Sequence, residues 1–163
     1  MTKASLIAFT FLLIGAAACA SSRWSESQKR VETPQVALSS IVKLLEAGKV
    51  QSVEVTYEPI EIEHREDLTP ERLRTLCMYK VIIRRFGESA ESAPLISALK
   101  GTRLQGSRFA GDLRWSLVFK FENQDSREIC LDGFGRLGRI DDASTTFQGS
   151  LYEWLRQLTG FLK

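Results

Sequence analysis

From Asp112 to Glu122 the chain alternates. Leu113, Trp115, Leu117, Phe119 and Phe121 fall on one parity, and Arg114, Ser116, Lys120 and Glu122 on the other, with Val118 the one exception. A period of two with one apolar side predicts a half-buried antiparallel strand. The Asn123-Gln-Asp125 turn then returns the chain as a partner strand from Arg127 to Asp132. Val53, Val55 and Tyr57 show the same alternation. Pro59 interrupts it, and Ile60, Ile62 and His64 resume on the opposite parity, which predicts a bulged edge strand or two short ones. Met78 to Phe86 is a further β-rich run, with Tyr79, Val81 and Ile83 on one side.

Helical spacing separates these runs. Leu38, Ile41, Val42 and Leu45 recur at i, i+3, i+4 and i+7, with Thr33 and Pro34 in front and Gly48 behind, so a helix is expected over 34–47. Thr69-Pro70 opens a short second helix, with Leu68 stapled onto Leu73. A third is expected over 93–100. The last follows a capping box, Ser150-Leu-Tyr-Glu153, and carries Leu151, Trp154, Leu155 and Leu158 on one stripe. Residues 101–111 read as a loop, and 133–147 as a turn with one further strand. The order of elements predicts an α+β fold: a single domain over 34–163, with an antiparallel β-sheet packed against helices on one face.

The N-terminus has a different pattern. Met1-Thr-Lys3 is basic, Ala4 to Ala18 is mostly apolar, and Ala16-Ala-Ala18 precedes Cys19. This is the layout of a secretory signal peptide over 1–18. It falls short of the about 20 apolar residues that a membrane-spanning helix needs. The string Leu13-Ile-Gly-Ala-Ala-Ala-Cys19 resembles the lipobox of bacterial lipoproteins, although Ala16 stands where that family usually has Leu. The resemblance implies that Cys19 is the lipid-attachment residue and that the mature chain is held in the membrane by acyl groups such as palmitate. Ala20 after the cysteine implies the outer membrane, facing the periplasm, in a Gram-negative envelope. Ordinary cleavage after Ala18 or Ala20, giving a soluble periplasmic or secreted protein, is the alternative. Residues 19–33 are polar without period and predict a flexible tether, with Trp24 its one large apolar member.

Export bears on the cysteines. With Cys19 acylated, Cys77 and Cys130 remain, and they are either one disulfide or two packed thiols. Charge narrows the partners. The net charge of +2 becomes +1 once Lys3 leaves with the signal peptide, which argues against a nucleic-acid binder. Lys80, Arg84, Arg114 and Lys120 share the polar parity of their strands and could form a face for an anionic envelope component or another envelope protein. A solvated face interspersed with glutamates is the plainer alternative.

Leu131-Asp-Gly-Phe-Gly-Arg-Leu-Gly-Arg139 carries the Gly-x-Gly-x-x-Gly spacing. It is similar to a string in glyceraldehyde-3-phosphate dehydrogenases, which would imply pyrophosphate binding by Gly133, Gly135 and Gly138. That chemistry needs a helix next and an acid about 20 residues on. Here Asp, Ser and Thr crowd 141–146, and Leu158 stands where the acid should be. The glycines are therefore expected to shape a turn, with no dinucleotide bound and Leu131, Phe134 and Leu137 as core candidates. His64, the single histidine, reads as an exposed strand residue among Glu61, Glu63 and Glu66. Asp132, Asp141 and Asp142 could gather as an acid or cation site, or simply solvate turns. No spacing for metal ligands or a cofactor is present. The expectation is an exported, membrane-anchored envelope lipoprotein acting as a non-enzymatic binding, inhibitory or assembly-accessory module. The alternative is a small envelope hydrolase using His64 or the acids of the 132–142 turn.

Overall fold

Among the described residues, seven antiparallel strands form one sheet in the order β2-β1-β4-β5-β6-β7-β3. A computed structural model describes residues 32–106, 111–123 and 125–160 of the chain. The expected signal peptide, the Cys19 anchor and the tether as far as Val31 lie outside these residues, and Glu32 begins the compact unit. The strands are β1 (Val50–Tyr57), β2 (Tyr79–Arg84), β3 (Arg103–Gly106), β4 (Leu113–Phe121), β5 (Ser126–Asp132), β6 (Leu137–Ile140) and β7 (Ala143–Gln148). The helices are α1 (Pro34–Glu46), α2 (Pro70–Leu76), α3 (Ser92–Lys100) and α4 (Leu151–Thr159).

The register explains the core. Val53 faces Ile83 on β2 and Phe119 on β4; Val55 faces Val81 and Leu117; Tyr57 faces Tyr79 and Trp115. Each row therefore runs straight across three strands, and these side chains pack against the buried stripes of α1, α3 and α4. In α1 that stripe is Ala37, Leu38, Ile41, Val42 and Leu45, and Thr33 Oγ1 accepts the Val36 N–H at 3.4 Å to start the helix. Fully burying a side chain of this size is worth about 1.5–3 kcal/mol over leaving it in water. The α+β fold is the one expected.

The opposite side of the sheet is polar, with a short helix of its own. Cys130 alternates with Ile129 and Leu131, so its side chain lies on this other side. There it packs with Leu113 and with Leu68 and Leu73, from the start of α2. Thr69 caps α2 by accepting the Arg72 N–H at 3.3 Å.

Four local expectations give way. Residues 60–62 are turn and bend and 63–64 irregular, not strand. Pro59 has no N–H for the ladder, and its carbonyl accepts the Ile62 N–H at 3.2 Å to close a turn. The loop expected at 101–111 contains β3, which pairs with β7 from Arg103↔Gln148 to Gly106↔Thr145. The 133–147 segment holds two strands, β6 and β7, joined at Asp141, whose φ of 49° suits a short polar side chain. Finally, Ser150 does not cap α4 with its side chain; its carbonyl accepts the Trp154 N–H at 3.0 Å. Of the three core candidates around the glycines, Leu131 is buried, but Phe134 is 65 % exposed and Leu137 is exposed as well.

Candidate functional site

The charged residues singled out in the sequence do not form one patch. Lys80 and Lys120 sit on either side of Glu54, with Nζ 2.6 and 3.5 Å from its two carboxylate oxygens. Burial pushes the Glu54 carboxyl up, but the two lysines pull harder the other way, and its pKa ends below the ordinary carboxylate value. Arg114 is only 7 % exposed. It pairs with Asp112 and donates to the carbonyls of Pro59 and Ile62 at 2.9 and 2.8 Å, so it pins the 58–69 loop. Arg84 stands on the outermost strand opposite Ser52.

Cys77 and Cys130 are separate thiols around the Leu68–Leu73 cluster. Burial pushes both thiols up, Cys130 far more strongly, which disfavours the reactive thiolate. His64 is not an exposed strand residue. Its Nε2 lies 2.9 Å from Glu58 Oε1, and Glu58 is 2 % exposed and also accepts the Met78 N–H at 2.7 Å. This pair ties the loop to the start of β2. The aspartates are each engaged locally: Asp132 ends β5, and Asp141 and Asp142 share the β6–β7 turn. Asp132 accepts from the Arg136 N–H at 2.9 Å, Asp141 from Arg127 Nε at 2.6 Å and the Glu128 N–H at 2.9 Å, and Asp142 pairs with Arg139 at 3.0 Å.

The glycines of the 133–138 string have a spatial role. Gly135 has φ of +67°, and a Cβ there would overlap the ring of Tyr152. A Cβ on Gly133 would overlap Ile60, and one on Gly138 would overlap the Cys130 carbonyl across the β5–β6 pair. Tyr152 lies close enough that its hydroxyl donates to the Gly133 carbonyl at 2.8 Å. The string leaves β5 as a turn that receives α4.

This close approach builds a cleft. The Tyr79–Tyr57–Trp115 row stacks across three strands: ring centroids are 5.9 Å apart at 15° for the tyrosines, and 3.9 Å apart at 20° for Tyr57 and Trp115. Tyr152 meets Trp115 edge-on at 6.2 Å and 87°. Together with Ile60, Glu61 and Arg156 these rings line a cleft of about 550 Å³. Trp115 is 2 % exposed, and its buried Nε1–H has no hydrogen-bond partner among the described residues. Burial, and next the Glu61 carboxylate, push the Tyr57 phenol up, so it keeps its proton. The inward parity of Tyr57, Tyr79 and Trp115 reads as core in the sequence; only the register shows that they share a row. That each is the last aromatic at the same end of its strand is the signal that could have found them.

A second hollow, of about 470 Å³, lies on the polar side beside α2. Its charges are matched: Arg74 meets Glu128 at 2.6 Å, Ser116 Oγ donates to the same carboxylate at 2.6 Å, and Asp142 holds Arg139. Among the described residues no cluster of three or more potential metal ligands occurs, and no helix is long and apolar enough to cross a membrane. Comparison with protein-family models, curated proteins and solved structures finds no match.

Proposed function

We propose that this chain is a non-enzymatic binding module of the bacterial envelope, exported by its N-terminal signal and held at the membrane through acylated Cys19. The aromatic cleft is its ligand site. One observation carries the binding reading. Tyr57, Tyr79 and Tyr152 line an open cleft of about 550 Å³ whose edge holds Glu61 and Arg156, within the roughly 300–1,000 Å³ of small-ligand sites. The state of the catalytic candidates also favours binding over hydrolysis: His64 is held by Glu58, and each aspartate of the 132–142 region is spent on a backbone N–H or an arginine.

The lipobox-like string supports the anchor, and a tethered domain with an open cleft suits an accessory that captures a small envelope component. Metabolic labelling with radioactive palmitate tests the anchor. Label on the unaltered chain and none on Cys19→Ala is the expected result; an unlabelled wild-type chain overturns the lipoprotein assignment. Hydrolytic activity abolished by His64→Ala or by Asp141→Ala/Asp142→Ala would replace the binding reading with the hydrolase.

A further inference from the structure

We infer that β2, the outermost strand of the sheet, takes up an extended acidic segment of another protein as a further strand. The two edges of the sheet differ. β3 has four residues, and Gln35 on α1 accepts its Leu104 N–H at 3.3 Å. β2 has six residues, contains no proline, and pairs with β1 from Ser52↔Arg84 to Tyr57↔Tyr79 without a bulge. Among the described residues, no backbone group of Tyr79–Arg84 makes a hydrogen bond beyond the β1 ladder. Such an edge presents a row of N–H and C=O groups to a newcomer. Proteins usually blunt it by shortness, a bulge, a proline or a covering loop. Strand addition draws its affinity from the ladder and its specificity from alternate side chains.

The side chains of β2 define what that segment carries. Tyr79 and Val81, on the parity that faces the core, are only half-buried, because β1 flanks them on one side alone. Apolar residues of a partner strand on this parity would cover them. The other parity reads Lys80, Ile82, Arg84, and Ile82 is 45 % exposed between the two cations. Arg84 stands opposite Ser52 and has no ion-pair partner among the described residues, while Lys80 shares the carboxylate of Glu54 with Lys120. Acid, apolar, acid at alternate positions is the matching row. Charge rejects the other two occupants. A second copy would pair antiparallel through β2 with its core face on the same side. Every register centred on a β2 residue then sets Lys80 or Arg84 opposite or diagonal to a cation of the other copy, which is destabilising. Residues 20–31 of the chain itself carry Arg23, Lys29 and Arg30 against Glu26, so their charge has the same sign as that of the edge.

The test uses the full-length chain and a synthetic peptide with blocked ends, Val-Glu-Val-Thr-Val-Glu-Val, beside its counterpart with lysine in place of glutamate. Fluorescein-labelled forms are titrated by anisotropy, and amide hydrogen exchange is followed by mass spectrometry. The expected result is saturable binding of the acidic peptide alone, with slowed exchange at residues 79–84 and none at 103–106. Arg84→Glu should weaken that binding about tenfold and let the lysine peptide bind. N-methylation of alternate peptide amides separates a ladder from plain charge attraction. Methyl groups on one parity should abolish binding, and on the other leave it unchanged. Equal losses from both parities, no binding of the acidic peptide at millimolar concentration, or slowing confined to the cleft segments 57–61 and 152–156 overturns the proposal. So does protection at 79–84 that rises with protein concentration before peptide is added, which assigns the edge to a second copy. Faster exchange there on deletion of residues 20–31 assigns it to the chain's own tether, and overturns the proposal as well.

Discussion

Two hollows among the described residues lie on opposite sides of the same sheet, and they differ in how their polar groups are satisfied. The groove beside α2 is rich in charge, yet Arg74, Glu128, Ser116, Arg139 and Asp142 are matched to one another within it. The aromatic cleft has fewer charged residues, Glu61 and Arg156, and neither has an ion-pair partner among the described residues. A matched set of charges holds a fold in place and offers little to a ligand, since a newcomer must first break existing bonds. Charged groups without a protein partner beside rigid rings leave a newcomer nothing to break. Charge density alone is therefore a poor guide to the site in this protein.

The comparison can be broken in four ways. The largest effect is expected for Gly135→Ala. The methyl group meets both a positive φ and the Tyr152 ring, so a loss of about 2–3 kcal/mol in chemical denaturation is expected, together with a disturbed Trp115 indole resonance. A loss below about 0.5 kcal/mol would mean that the turn does not shape the cleft. Next is Thr56→Val. Thr56 Oγ1 is a second buried orphan, but it lies on the polar side of β1, away from the cleft. Replacing it with an isosteric methyl should stabilise the fold by about 1 kcal/mol, read as a higher melting temperature with the Trp115 resonance unchanged. Destabilisation would show that the hydroxyl has a partner. Third, Arg74→Ala removes a partly exposed pair from the groove, and should cost at most about 1 kcal/mol and leave the cleft untouched.

The smallest effect concerns pH. Glu54 has a folded pKa below its ordinary 4.5, because Lys80 and Lys120 flank it. A depressed carboxyl adds stability above its unfolded pKa and loses it as pH falls through the folded value. Urea unfolding of the wild-type chain should therefore weaken below about pH 4.5 more steeply than that of Glu54→Gln. Equal slopes would show that the two lysines do not hold the carboxylate.

Much of the frame was legible along the chain. Thr33-Pro34 and the Leu38–Leu45 stripe placed α1, and the Leu113–Phe121 alternation placed β4, because both signals are local and periodic. β3 was missed because Arg103-Leu-Gln-Gly106 has one apolar residue and owes its strand state to the β7 ladder. Ile60 and Ile62 suggested a strand, but Arg114 holds that backbone through the Pro59 and Ile62 carbonyls, a contact across more than 50 residues. The cleft was hidden for a similar reason. Tyr57, Tyr79 and Trp115 each carry an ordinary inward position, and only cross-strand register brings them together. His64 was misread because its partner, Glu58, turns back on the far side of Pro59. The Gly133–Gly138 string shows the converse. Its spacing suggested phosphate chemistry, whereas its glycines admit Tyr152, Ile60 and the β5 backbone.

Crystals of the protein soaked with a panel of small polar, aromatic and charged compounds test the central claim most directly, because occupancy then reports which hollow binds. The account predicts density in the aromatic cleft, between Tyr57, Tyr79, Tyr152 and Arg156. Compounds that settle in the groove beside α2, or that leave the cleft empty, would contradict it.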